Sequence, residues 1–172
     1  SIDKRYFYID NRYMFNKSFR FLFFFMVMLW LFGLLLTQII VPFLALEMAA
    51  EFPEVNHLVM PYSIMGISSI LFLQIASVLL AIVVTRGSKV EFFHDTTRKL
   101  IKVSGALLIL AFFIPTLVGF HFKWSMDAGG LMVVLTHFFA IVMMCIFLFF
   151  SHISLSAFDN ARRDYEELGA VI

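Results

Sequence analysis

Three carboxylates, Glu47, Glu51 and Glu54, crowd into the stretch Leu46 to Pro61, LEMAAEFPEVNHLVMP, which holds no lysine or arginine. Glu47 and Glu51 stand one helical turn apart, and His57, His121 and Asp127 add imidazole and oxygen donors. Such a set is suited to a divalent cation. Pro53 breaks the register before Glu54, however, and no ligand motif with a fixed donor count is present. The simpler expectation is a solvated acidic loop, with cation binding as the alternative.

A second set, Gln38, Thr116 and His137, lies inside apolar runs with Gln74 and several serines, and counted from the outer ends of the spans the three fall in one layer. A polar group left unsatisfied in hydrocarbon is costly, so these should face other helices and bond one another. Built around His137, they would make a small polar pocket or a proton-sensitive switch. As plain hydrogen-bonded glue between helices, they need no ligand at all. A third set is a stripe near the end of the chain: Phe158, Tyr165, Leu168 and Ile172, spaced by helical steps with Asp159, Arg162, Arg163, Glu166 and Glu167 between them. An apolar stripe beyond the membrane must fold back on a loop, enter the headgroups or dock a partner.

Catalytic motifs are missing. The sequence has no Ser-His-Asp order, phosphate loop, HExxH or CxxC, and its one cysteine, Cys145, sits in an apolar run. No catalytic, cofactor or metal residues are assigned, and action through interaction is expected in place of enzymatic chemistry.

The elements that position these sets follow from composition. Of 172 residues 62% are hydrophobic and 15% charged, with 23 phenylalanines and a mean hydropathy of +0.93. A soluble domain of this size could not hide that much apolar surface, so the solvent is lipid. Four spans are expected, at about 21–46, 62–85, 100–122 and 131–154. The fold class is all-α: an integral-membrane, antiparallel four-helix bundle, as short connections make neighbours antiparallel. Pro42 and Pro115 fall within spans, and each frees a carbonyl one turn earlier. Val90, Phe92 and Phe93 of the second loop are expected to dip into the membrane interface. Residues 1–20, rich in basic and aromatic side chains, read as a headgroup segment. Residues 155–172 read as a cytoplasmic amphipathic tail, a C-terminal helical extension that continues the fourth span out of the membrane.

Charge sets the orientation. Five lysines and arginines precede the first span, five lie in and just after the second loop (Arg86, Lys89, Arg98, Lys99, Lys102), and two are in the tail. Only Lys123 lies on the other side. Twelve against one places both termini and the second loop in the cytoplasm. No Asp, Glu, Lys or Arg lies deep in any span, which disfavours a proton-coupled transporter. The net charge of +1 gives no reason to expect nucleic-acid binding.

The words VPFLALEMAAEFPEVNHLVMPY and RGSKVEFFHDTTRKLIKV, with the ending EELGAVI, carry a resemblance. Over about Leu34 to Ile172 the chain resembles the bacterial membrane family called domain of unknown function 2975. The resemblance implies a four-span protein of the bacterial cytoplasmic membrane with an acidic first outer loop and a basic second loop. The family has no established activity. Its members are often encoded beside a small helix-turn-helix regulator, which implies membrane-linked regulation. The expected function is a regulatory or accessory protein that docks a membrane complex or such a regulator. The alternative is a small oligomeric transport or resistance protein. The lipid bilayer and another protein are the expected partners, and no cofactor is expected.

Overall fold

The computed structural model describes residues 17–86, 90–126 and 130–170. Within them lie four α-helices: α1 Lys17–Glu51, α2 Val59–Arg86, α3 Asp95–Met126 and α4 Gly130–Ala170. Short 3-10 turns at Pro53–Leu58 and Val90–Phe93 lead into α2 and α3, and no strand occurs among the described residues. All four helices are long and apolar enough to cross a membrane. In hydrocarbon a backbone must satisfy its own polar groups, and helix formation does so locally. Each helix is longer than the span expected for it from the sequence. α4, at 41 residues, measures about 60 Å, twice the thickness of a bilayer core.

Neither proline ends its helix. Pro42 lies inside α1 and Pro115 inside α3. Pro115 has no N–H to give the Ala111 carbonyl, and the buried Ser69 hydroxyl of α2 donates to that carbonyl instead. One residue on, Thr116 Oγ1 donates to the Phe112 carbonyl at 2.8 Å. The weakened turn of α3 is thereby tied to α2.

The helices run antiparallel in chain order. Trp30 Nε1 donates to Ser77 Oγ (3.1 Å) and Gln74 Nε2 to Gln38 Oε1 (3.2 Å) across α1 and α2. Ser69–Ala111 and Tyr62–His121 pair α2 with α3. Gly119 meets His137, Phe112 stacks on Phe147 and Gly105 meets Ser151 across α3 and α4. A methyl group at Gly66 would stand 2.9 Å from Val41 Cγ1, and one at Gly105 or Gly119 would overlap the facing side chain. Close approach is bought with small residues, as in other membrane helix pairs.

Among the described residues the long helices touch only their sequence neighbours; α1 packs on α2, α4 packs on α3, and α1 and α4 do not meet. The expected bundle is therefore open along one side. Its buried apolar set is mostly small or medium-sized, including Leu34, Ala49, Ala76, Ile101, Leu108, Ala111 and Ala140, while large side chains such as Phe43 and Phe138 face outwards. That inversion suits lipid as the surrounding solvent.

Candidate functional site

The acidic stretch is solvated. Glu47 and Glu51 lie on the last turns of α1 and Glu54 on the following 3-10 turn, all exposed, as is His57. Among the described residues no three of His, Cys, Asp and Glu converge in a way that could hold a metal. His121 sits elsewhere, its Nδ1 2.8 Å from the Tyr62 hydroxyl, with the two rings edge to face at 6.2 Å. Asp127 lies outside the described residues.

The inner polar set divides into two. His137 Nε2 lies 2.9 Å from the Thr116 carbonyl oxygen. A carbonyl only accepts, so Nε2 carries the proton. The ring rests against Gly119, where no larger residue would leave it room. Gln38 is not part of this arrangement. It donates to the Ile67 carbonyl at 3.4 Å and accepts from Gln74, between α1 and α2. Depth in the bilayer matched Gln38 with His137, but α1 never reaches α4. The single pocket of Gln38, Thr116 and His137 is thus corrected to two separate helix-to-helix links.

The third set assembles the most elaborate site. Phe158, on α4, is 2% exposed. Its ring meets Phe92 edge to face at 5.4 Å; Phe92 in turn meets Phe93, and Phe93 stacks on Tyr165 at 4.6 Å with the planes 11° apart. Phe92 and Phe93 turn towards the tail and not, as expected, only towards the membrane interface. Arg98 forks onto Asp159, Nε to Oδ1 at 2.9 Å and Nη2 to Oδ2 at 2.8 Å. Arg162 pairs in return with Asp95, and also with Glu166 at 2.8 Å one turn along its own helix. This clasp of aromatic and ionic contacts joins the last turns of α4 to the loop and first turn of α3; we call it the latch. The Leu168 side chain and Ile172 lie outside the described residues.

The latch carboxylates lie beyond the charge-free stretches of the helices. The Arg162 hydrogen bond, then its charge, holds the Asp95 carboxyl below the usual carboxylate range. Arg98 does the same for Asp159, chiefly through its hydrogen bond. The pairing of Asp95 and Arg98 with Arg162 and Asp159 escaped the sequence reading, although a signal was there. Asp-x-x-Arg occurs at 95–98 and again at 159–162, and two such units on antiparallel helices can pair reciprocally, each arginine with the other's aspartate.

A family model described as "Protein of unknown function (DUF2975)" matches residues 43–172. The chain belongs to this family. No curated protein and no solved structure matches the chain. The DUF2975 region takes in the acidic turn, α2, α3 and α4, and hence every residue of the latch and the His137 link. Trp30 and Gln38, which fasten α1 to α2, precede it. The latch is a set of paired charges and stacked rings at one end of the helix row.

Proposed function

We propose that this protein is a non-enzymatic regulatory or accessory protein of the bacterial cytoplasmic membrane that acts by docking a partner protein on its cytoplasmic end. On this reading both termini and the second loop lie in the cytoplasm, supported by the bias of lysine and arginine towards that side. The observation that carries the reading is the latch. It pins the last turns of α4 against the second loop and leaves Asn160, Arg163, Asp164 and Glu167 exposed on the pinned helix. Phe158 is covered by this chain's own loop and Tyr165 stacks on Phe93 of that loop, so a partner would read the polar outer face of the pinned helix. A membrane complex or a small cytoplasmic regulator fits that surface. A cysteine at Glu51 should react with an impermeant thiol reagent in sealed cells and one at Lys89 should not; the opposite pattern overturns the orientation.

The open side of the helix row supports a second reading, a small oligomeric transport or resistance protein in which another copy completes the assembly. A photo-crosslinking residue at Asp164, and separately at Thr37 on the exposed side of α1, distinguishes the two in living cells. Docking predicts a discrete adduct with a different protein from Asp164 and only lipid adducts from Thr37. A homodimer from Thr37, with nothing from Asp164, favours transport and contradicts docking.

A further inference from the structure

Arg98 and its neighbours have the chemistry of an anion site. Its guanidinium holds Asp159 in the two-pronged geometry with which arginine also grips phosphate. This pair is not sealed off, for the side chains are 42% and 44% exposed. Lys99 and Lys102 are exposed on the same two turns of α3 and form no ion pair with any described residue. They are near enough to the latch for Lys99 to act on the Asp95 carboxyl and Lys102 on that of Asp159. Arg86, at the end of α2, likewise has no ion-pair partner among the described residues. The register set by Tyr62–His121 and Ser69–Ala111 puts it level with the first turn of α3. More positive charge therefore gathers here than the tail neutralises.

Lys102 lies beside Ile101, Val103 and the apolar run that follows, and a lysine so placed can extend along its helix to bring the ammonium group to the leaflet surface. A phosphodiester at that level would meet Arg98, Lys99 and Lys102 together, whereas the Asp159 carboxylate engages only Arg98 as an ion pair. The tail meanwhile carries Asp159, Asp164, Glu166 and Glu167 against Arg162 and Arg163. An anionic leaflet repels that balance.

We propose that Arg98, Lys99 and Lys102 bind the phosphate of an anionic phospholipid headgroup in competition with Asp159, so that the latch opens as the anionic content of the leaflet rises. The tail's carboxylate is then an internal stand-in for the lipid phosphate, and membrane composition sets how long the tail stays docked. This holds whether or not a partner reads the tail, and in a symmetric bilayer it holds for either orientation.

The test uses the full chain in nanodiscs of phosphatidylcholine alone or of equal parts phosphatidylcholine and phosphatidylglycerol, in a Cys145→Ser background. Spin labels on Thr96→Cys and Asp164→Cys, both exposed positions, report the latch distance. The expected result is one short, narrow distance in phosphatidylcholine and loss of at least half of that population in the anionic discs. K99Q/K102Q should keep the short distance in both, while Asp159→Asn, which has no carboxylate for the lipid phosphate to displace, should give the same distribution in both. Inorganic phosphate added to neutral discs should have no effect. The proposal is overturned if wild type gives the same distribution in both lipids, if K99Q/K102Q responds as wild type does, or if free phosphate alone opens the latch.

Discussion

Phe158→Ala should free the tail without unfolding the membrane helices. The Phe158 ring is 2% exposed and is covered by Phe92 at 5.4 Å. Burying a phenylalanine side chain contributes about 1.5–3 kcal/mol, and an edge-to-face aromatic pair adds about 0.5–1.5 kcal/mol. Truncation to alanine should therefore cost about 3 kcal/mol, at the lower end of the ~3–5 kcal/mol seen for buried phenylalanines. At 1.4 kcal/mol per tenfold, the opened tail becomes roughly a hundredfold more populated. Amide hydrogen exchange in phosphatidylcholine nanodiscs reads this directly, because exchange in the last turns of α4 follows local opening. Amides from 158 to 167 should exchange roughly a hundredfold faster, and those from 105 to 119 should not change. Tyr165→Ala, at a position 44% exposed, should produce a much smaller acceleration. Two outcomes refute the reasoning. Acceleration below about threefold would mean the ring contacts do not hold the tail, and equal acceleration along α3 would mean the latch is part of the global core.

Three further outcomes follow from the helix links. Ser69→Ala should lower stability by about 0.6–1.7 kcal/mol, the upper part of the range for hydrogen bonds between membrane helices, by leaving the Ala111 carbonyl without its donor. Adding Pro115→Ala restores a backbone N–H to that carbonyl, so the double variant should unfold later than Ser69→Ala alone in a steric-trapping or thermal assay. Gly119→Ala should cost about 1–3 kcal/mol by pushing against His137, and His137→Ala in the same chain should recover part of the loss. For pH, Asp95 and Asp159 have native carboxyl pKa values below their ordinary value. Their contribution is complete above the unfolded-state value, 3.8, and fades as pH falls through the lower native values. A fluorescence-transfer pair across the latch should therefore stay constant from pH 7 to about pH 4 and separate only below it.

Spans were legible because runs of this length without charge have few uses outside a bilayer. Where each helix ends was less so. A helix does not stop where its side chains become polar, and α1 and α3 run on past their expected spans to Glu51 and Met126. Depth could be counted along the chain, and it matched Thr116 with His137, though it is the Thr116 carbonyl that meets the ring. Rotation about each helix axis and the order of neighbours in the plane leave no periodic trace in such uniformly apolar runs. Gln38 was for that reason set beside His137 when its partner is Gln74. Similarly, the stripe of Phe158 and Tyr165 was visible as a pattern, but its acceptor was not. Phe92 and Phe93 are adjacent residues on a short loop, with no repeat to show which side they present.

The latch requires that the end of α4 fold back onto the second loop in the membrane-embedded protein. Asp95→Cys with Arg162→Cys tests it most directly, because these two side chains are in contact across the latch. With Cys145 replaced by serine and the chain in neutral nanodiscs, a short thiol-to-thiol reagent should join the pair within one molecule in high yield. Asp95→Cys with Asp164→Cys, whose second site is on the exposed side, should link far less. Equal yields for the two pairs, or links formed only between molecules, would contradict the latch.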